Sequence, residues 1–205
     1  MIRPTLTRER ALWAEGRQHV AGLDEVGRGP IAGPVVAAVV VFPPGYRPIR
    51  GVRDSKLLSA LQRARLVGKI HQKALAWAVG AASVREIERL NIRCASALAM
   101  RRAILRLPFL PDHVLIDGKA LPELGSDHEP LVKGDARCHT IAAASVLAKE
   151  TRDRLMRQLA SRYPSFGWDE NMGYATAGHL AALDRLGPTK HHRFGFIPVA
   201  QLKLF

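Results

Sequence analysis

The segment VAGLDEVGRGPIAGPVVAAVVVF, residues 20–42, decides the fold of this protein. Val20–Leu23 and Val35–Phe42 are apolar and rich in β-branched residues, and a Gly/Pro-rich turn separates them, so we predict two adjacent strands. The second run is apolar almost throughout, which is typical of a strand covered on both faces. The acids Asp24 and Glu25 therefore end a buried strand and run directly into the turn.

Hydrophobic periodicity outlines the rest of the chain. Further strands are predicted over Trp77–Val84 and His113–Ile116, and helices over residues 59–74, Asn91–Leu107, Thr140–Arg162 and Thr176–Leu186. Strands come early and helices follow, so we expect an α/β fold with a mixed central sheet flanked by helices. One catalytic domain is expected over residues 1–162. Interleaved aromatic, glycine and histidine residues then indicate a small helical C-terminal extension over residues 163–200.

The charge of the chain indicates a polyanionic partner. Its 205 residues are 47% hydrophobic and 24% charged, which is ordinary for a globular protein, but 31 Lys and Arg against 18 Asp and Glu give a net charge of +13. A domain this basic is typical of nucleic-acid binding, with an anionic membrane surface as the second candidate partner. The plain alternative is that the charge serves solubility alone, over which charge by itself only modestly favours nucleic acid.

Other features favour a cytoplasmic protein that does not enter a membrane. The apolar run Ala32–Phe42 is too short to span a bilayer, and Met1–Arg10 lacks the apolar core of a secretory signal. Cys94 and Cys138 show no metal-ligand spacing, so we expect buried free thiols. We also expect a monomer.

Four acids stand where acids are costly. Asp24 and Glu25 end one strand, Asp117 ends another, and Asp135 precedes an apolar helix. Acids at the carboxyl ends of strands face the crevice where α/β sheets bind ligands. Converging carboxylates repel each other unless a cation intervenes, and oxygen ligands select Mg²⁺ or Mn²⁺. The alternative is that each acid caps a helix or pairs with an arginine, although this explains the Asp-Glu pair before Gly27 less well.

These residues belong to a set of motifs that resembles a known family. The stretch GLDEVGRGPIAGPVV, residues 22–36, closely resembles the signature strand of bacterial type 2 ribonucleases H. Further matches follow in that family's order: Asp54-Ser55-Lys56, Asp117-Gly118, Lys133-Gly134-Asp135, residues 143–149, Arg152-Asp153 and Gly173-Tyr174-Ala175-Thr176. The resemblance runs from about Glu9 to Val199 and implies a ribonuclease-H-like fold.

The resemblance also implies a reaction. Asp24, Glu25, Asp117 and Asp135 match the four catalytic, metal-binding acids of the family. They imply hydrolysis of the RNA strand of RNA/DNA hybrids, and incision 5′ of single ribonucleotides in duplex DNA, by a two-metal mechanism that leaves 3′-hydroxyl and 5′-phosphate ends.

Substrate contacts follow from the same resemblance. The glycine-rich motif Gly27-Arg28-Gly29 is expected to reach the ribonucleotide's 2′ hydroxyl, the group that separates RNA from DNA. Tyr174 is expected to stack under the neighbouring deoxyribose, and Lys56 to contact a phosphate; a partly buried core tyrosine and a solvated lysine are the plain alternatives.

The sequence departs from the family at two places. His-Lys is common where this chain has Asn171-Met172, and the usual Arg-Arg-Ser-Phe is here Arg193-Phe194-Gly195-Phe196. Both departures affect expected phosphate contacts, for which His191, His192 and Arg193 are possible substitutes. Two other functions were considered. Type 3 ribonucleases H share the fold but typically carry an extra N-terminal domain and lack Gly-Arg-Gly, and a non-catalytic hybrid-binding protein leaves the four acids unexplained.

The last five residues, 201–205, suggest a second partner. Gln201, Leu202, Leu204 and Phe205 resemble the short motif by which bacterial replication and repair proteins dock on the polymerase sliding clamp. The alternative is that the leucines and the phenylalanine pack back onto the domain as a terminal strand.

Overall fold

Residues 3–201, which the computed structural model describes, contain a mixed sheet with helices on both faces. The five strands are β1 (Val20–Val26), β2 (Val35–Val41), β3 (Ala76–Ala82), β4 (His113–Asp117) and β5 (Glu129–Leu131). They lie in the order β3-β2-β1-β4-β5; β2 is antiparallel to its neighbours β1 and β3, and β4 is parallel to its neighbours β1 and β5. The predicted α/β fold with a mixed sheet is confirmed.

The helices divide between the two faces of the sheet. They are α1 (Thr7–Ala14), α2 (Ala60–Lys73), α3 (Val84–Ile104), α4 (Gly134–Arg137), α5 (His139–Ala160), α6 (Trp168–Asn171), α7 (Ala177–Leu186) and α8 (Ile197–Ala200). Alternate side chains of β2 serve alternate faces: Val39 lies in the apolar cluster under α3, and Val40 lies in the cluster under α2 and α5. This explains why β2 is apolar at every position.

Helix α5 is anchored at its start by a residue from far along the chain. Its N-cap, Cys138, makes no side-chain capping bond. Instead the buried carboxylate of Glu9 on α1 accepts hydrogen bonds from Thr140 N at 2.9 Å and Thr140 Oγ1 at 2.7 Å. The apolar first half of α5 then packs against β1 and β2. Asp135 just before α5 and Asp24 on the strand that α5 covers therefore lie next to an anchored helix.

Helix α3 is longer than the sequence predicted and contains a break. It begins at Val84, after a capping box formed by Ser83 and Glu86, and not at Asn91. Asn91 has a left-handed φ of 67°, and its Oδ1 accepts hydrogen bonds from the backbone N–H groups of Arg93 and Cys94. Asn91 therefore caps the second part of the helix, which is the feature that the periodicity detected.

Residues 163–201 are mainly helical, and they pack on the turn that follows β1. Ile31 and Ala32 of that turn share an apolar cluster with Met156 of α5 and with Trp168 and Leu183 of the C-terminal segment. The boundary at residue 162 stays a prediction. In the part of the chain that the structure describes, no helix is long and apolar enough to cross a membrane. Both cysteines are free; Cys138 is buried as expected, whereas Cys94 is only partly buried.

Candidate active site

Three of the four predicted acids meet at one edge of the sheet. Asp24 and Glu25 lie in the last part of β1, and Asp117 is the final residue of β4. The parallel register pairs Leu23 with Ile116, so Asp24 and Asp117 are the next residues on neighbouring strands. Parallel strands end at the same edge of a sheet, which brings these side chains together.

Asp135 joins them through a backbone contact. Asp117 Oδ1 accepts hydrogen bonds from Gly134 N at 2.6 Å and Asp135 N at 3.4 Å, which ties the start of α4 to the end of β4. A Cβ on Gly134 would lie 2.7 Å from Ile141 Cδ1 and 3.3 Å from Asp117 Oδ1, so a larger residue here would require the Ile141 side chain to move. Lys133 just before has a left-handed φ of 57°.

The carboxylates are held at a cost. Burial raises the pKa of Asp24 well above its ordinary value, and the charges of Glu25 and Asp117 raise it further. Burial also raises the pKa of Glu25, against the opposing effect of Arg28, whose Nη1 lies 3.2 Å from Glu25 Oε1. The pKa of Asp135 is raised by burial and then by Asp117. A divalent cation bound among these oxygens would relieve this repulsion, so the donor set fits a hard metal ion.

The acids are nevertheless engaged with the protein. Asp24 Oδ1 accepts a hydrogen bond from Glu25 N at 2.8 Å, Asp117 holds the start of α4, and Asp135 lies near Lys56. Within residues 3–201, no three Asp, Glu, His or Cys side chains are already spaced to hold a metal ion. Metal binding by these acids would therefore involve rotation of their side chains.

Two serines and a lysine line the site next to these acids, and the serines were not among the predicted site residues. Ser145 on α5 donates a hydrogen bond to Asp24, which lowers the pKa of that carboxyl, and its Oγ lies 2.9 Å from Ser55 Oγ. Lys56 Nζ lies 3.9 Å from both Asp54 Oδ1 and Asp135 Oδ2 while its side chain stays 78% exposed. Partial burial lowers the pKa of Lys56, but the surrounding carboxylates outweigh it and the net shift is upward.

The glycine-rich turn faces the predicted tyrosine. A Cβ built on Gly29 would lie 3.7 Å from Tyr174 Cε1, and the Tyr174 side chain is about half exposed. Gly173 O accepts hydrogen bonds from Ile31 N at 2.9 Å and Ala32 N at 3.3 Å, so the two segments are directly joined. The fold thus brings together residues that are about 145 positions apart.

One expectation about phosphate contacts is wrong. His192 and Arg193 are fully buried and cannot reach a phosphate on the surface. His192 Nδ1 accepts a hydrogen bond from Thr189 N at 2.9 Å, and its Nε2 lies 3.1 Å from His179 Nε2. The other ring nitrogen of His179, Nδ1, donates a hydrogen bond to Tyr174 O at 2.8 Å. These rings hold the loop that carries Tyr174.

Two basic side chains that the sequence did not single out, Arg93 and Lys119, lie next to the acids. A cleft of about 260 Å³ is lined by Glu25, Arg28 and Asp117 together with Arg93 and Lys119. Arg93 is carried there by the second part of α3, which begins at the Asn91 break. Nothing in the local sequence marks these two cations, because their place beside the acids depends on how α3 and β4 pack.

A larger cleft, of about 830 Å³, lies on the side of α2 and the preceding loop. Its lining includes five cationic side chains and no acidic one: Arg3, Arg50, Arg53, Arg65 and Lys69. It contains none of the four acids, so we regard it as a basic surface next to the site and not as the site of chemistry.

A basic α/β protein with buried acids at the ends of neighbouring parallel strands has the architecture of the ribonuclease-H-like, metal-dependent nucleases. The family model for ribonuclease HII matches residues 21–199. The chain belongs to the ribonuclease HII family. It is 54% identical over 197 residues to ribonuclease HII of Sphingopyxis alaskensis (96% of this chain, 98% of the relative). It is 48% identical over 205 residues to that of a Synechococcus strain (99% and 92%).

Solved structures agree with this assignment. Ribonuclease H2 from Pyrococcus horikoshii OT3 superposes with a TM-score of 0.77 at 25% identity, covering 91% of this chain and 97% of that one. The PCNA:RNase HII complex from Archaeoglobus fulgidus gives 0.72 at 25% identity (87% and 95%). Bst-RNase HIII in complex with Mn²⁺ gives 0.70 at 22% identity (95% and 73%), a likeness of fold. The protein is a divalent-metal-dependent endoribonuclease that acts on RNA/DNA hybrids.

Proposed function

We propose that the protein also incises duplex DNA on the 5′ side of a single embedded ribonucleotide, with Asp24, Glu25, Asp117 and Asp135 as the catalytic, metal-binding acids. The observation that carries this proposal is the pairing of Gly29 with Tyr174 beside the acids. Gly29, which has no side chain, and the exposed Tyr174 ring form a surface fitted to one sugar and its neighbour, so a single ribonucleotide is enough for recognition.

The chain's own groups have separate tasks. The four acids provide oxygen ligands, and two divalent cations, Mg²⁺ or Mn²⁺, would supply the positive charge that activates the attacking water and stabilises the departing 3′ oxygen. The motif Gly27-Arg28-Gly29 reads the 2′ hydroxyl, Tyr174 supports the adjoining deoxyribose, and Lys56 contacts a phosphate. Ser145 holds Asp24 in place by its hydrogen bond.

The test uses three synthetic duplexes of one sequence: one with a single ribonucleotide, one RNA/DNA hybrid and one all-DNA. We expect cleavage of the first two with Mg²⁺ or Mn²⁺, 3′-hydroxyl and 5′-phosphate ends, and no cleavage of the third. Asp24→Asn and Asp117→Asn should each remove cleavage while the protein stays folded. Asp184→Asn, at an exposed carboxylate on α7, is the matched control and should cleave normally. Equal cleavage of the all-DNA duplex, or normal activity of Asp24→Asn, would contradict the proposal.

We also propose that residues 201–205 dock on a polymerase sliding clamp. The related complex from Archaeoglobus fulgidus, described as a PCNA:RNase HII complex, supports this partner class. Gln201, at the end of α8, is exposed; Leu202, Leu204 and Phe205 lie outside the described residues. An extended segment could place Leu204 and Phe205 in an apolar pocket while Gln201 fixes the register by hydrogen bonding.

Deletion of residues 201–205 tests this docking. We expect clamp binding with a Kd of about 1 μM, or roughly 8 kcal/mol, in the full chain and none in the truncated one. Cleavage of short free duplexes should be unchanged. Loss of the fold on truncation would assign the segment a structural role instead. We further propose that the protein acts as a monomer in the cytoplasm, which size measurement of the purified chain and fractionation of cells would check.

A further inference from the structure

Two buried arginines lie beneath the glycine-rich turn without a carboxylate partner. Arg152 and Arg193 are both fully buried, and neither forms an ion pair within residues 3–201. Burial lowers the pKa of Arg152 to about 10 and that of Arg193 to about 9. A buried charge is unfavourable unless its hydrogen bonds are satisfied, so the acceptors that these two guanidinium groups have instead of carboxylates are informative.

All the acceptors of Arg193 are carbonyl oxygens of the turn. Its Nη2 donates to Gly27 O at 2.6 Å and to Gly33 O at 2.8 Å. Its Nη1 donates to Arg28 O at 2.9 Å, and its Nε donates to Gly33 O at 3.0 Å. One planar guanidinium therefore grips three carbonyls of one loop, which the single nitrogen of a lysine could not do.

These hydrogen bonds also fix the direction in which the neighbouring backbone N–H groups point. In a trans peptide the C=O and the following N–H point in opposite directions, and the described part of the chain has no cis peptide. Because Gly27 O and Arg28 O point at Arg193, the N–H groups of Arg28 and Gly29 point away from it. Neither amide donates a hydrogen bond within residues 3–201. The guanidinium also polarises both peptide groups, which strengthens these N–H groups as donors.

Arg152 holds the end of the same turn, on the side of the segment that carries Tyr174. It donates to Ala32 O at 3.0 Å, Pro34 O at 2.9 Å and Met172 O at 2.9 Å, which fastens the turn to the residues just before Tyr174. Met172 has a left-handed φ of 50°. The departure from the family at this residue therefore falls on a backbone contact, which a change of side chain preserves.

We propose that Arg193 is a positioning residue that aims the N–H groups of Arg28 and Gly29 at the 2′ oxygen of the ribonucleotide. The proposal rests on the proposed reading of that hydroxyl by the glycine-rich motif. It assigns the C-terminal segment a part in substrate selection, exerted from beneath the turn and without contact to the nucleic acid.

The test compares Arg193→Lys with the native protein on two duplexes, one carrying a single ribonucleotide and one carrying a 2′-fluoro nucleotide at that position. The kcat/KM for the ribonucleotide duplex divided by the kcat/KM for the 2′-fluoro duplex measures how well the protein reads the 2′ group. We expect this ratio to fall about tenfold in Arg193→Lys, since a misaligned amide loses most of one hydrogen bond. A general loss of structure would lower both rates by the same factor, and an unchanged ratio would overturn the proposal.

Arg63→Lys is the matched control. Arg63 is also buried, and it donates to Leu58 O at 2.8 Å and to Asp153 Oδ2 at 2.8 Å, but it touches no carbonyl of the turn. We expect its ratio to equal that of the native protein. Thermal unfolding of both variants shows whether they lose similar stability.

A measurement on the native protein decides the matter even if Arg193→Lys does not fold. In ¹⁵N NMR spectra recorded with Ca²⁺, a duplex with one ribonucleotide should shift the amide resonances of Arg28 and Gly29, and the all-DNA duplex should not. Identical shifts with both duplexes would overturn the role of the amides. If the native protein fails to cleave at a single ribonucleotide, the proposed function fails first, and the two failures are thus distinguishable.

Discussion

A methyl group on Gly29 separates recognition from folding. The Cβ of Gly29→Ala would lie 3.7 Å from Tyr174 Cε1, an ordinary van der Waals distance, and no other heavy atom lies within 4 Å. The φ of Gly29 is not in the left-handed region. We therefore expect the fold to accept alanine, with a free energy of unfolding that is unchanged or higher by up to about 1 kcal/mol.

The substrate should not accept the change. A sugar oxygen must approach the Gly29 N–H to about 3 Å to form a hydrogen bond, and the methyl group would occupy the space between the turn and Tyr174. Loss of one such bond and displacement of the sugar should raise the barrier by about 1.5–3 kcal/mol. This corresponds to a fall in kcat/KM of roughly tenfold to a hundredfold on a duplex with one ribonucleotide.

Two other glycines provide the comparison. In Gly27→Ala the Cβ would lie 2.6 Å from Arg152 Cδ and 2.9 Å from Pro34 O, and Gly27 has a φ of +94°, so this variant should lose stability. Gly68→Ala, in the exposed middle of α2 with nothing within 4 Å, should cleave normally and gain roughly 0.5–1 kcal/mol.

Steady-state cleavage and thermal unfolding of the three variants are the measurements. Native activity in Gly29→Ala would refute the reasoning. A loss of activity that tracks a loss of stability would refute it equally.

Three further outcomes are expected. Burial raises the pKa of Asp24 in the folded protein, so without metal the folded protein binds the Asp24 proton more tightly than the unfolded chain does. Protonation of Asp24 therefore stabilises the fold fully below the ordinary carboxyl pKa. This stabilisation is lost as pH rises through the raised pKa. Metal-free Asp24→Asn should therefore unfold at a higher temperature than the native protein at pH 7, and the difference should vanish near pH 3. Changing Arg65 and Lys69 of the basic cleft to Gln should make the plot of log affinity against log salt less steep by about 1–2, if each contacts one phosphate. Tyr174→Ala should weaken single-ribonucleotide cleavage more than cleavage of a long hybrid, and equal effects on both substrates would contradict the stacking role.

One further prediction concerns how Asp117, a proposed metal ligand, is held. One oxygen of Asp117 accepts hydrogen bonds from the backbone N–H groups of Gly134 and Asp135, so Asp117 connects β4 to α4. A metal ion and these amides would compete for the same carboxylate. Asn keeps an oxygen acceptor but loses the negative charge that strengthens these two hydrogen bonds, so Asp117→Asn should loosen the start of α4 more than Asp24→Asn does. Hydrogen exchange of the amides in residues 134–137 would measure this.

The sequence by itself determined the elements that depend on neighbouring residues. The β-branched runs predicted β1 and β2, and the periodicity predicted a helix over residues 59–74, which the structure has as α2 behind a capping box of Ser59 and Gln62. The four acids stood out because each one ends or precedes an apolar segment. The order of the motifs also identified the family, because long matching stretches carry more information than any single residue. These signals are local, and they survive without knowledge of the tertiary contacts.

Only the tertiary structure decided how the turn is held. In the sequence Arg193 stands in a polar, basic stretch and was interpreted as a phosphate contact, yet it is buried and binds carbonyls of residues 27, 28 and 33. Glu9 similarly caps a helix more than 130 residues away. Backbone carbonyl and amide groups are the same at every position, so the sequence does not show which side chain will form a hydrogen bond with them. Which side chain reaches them depends on the packing of distant segments.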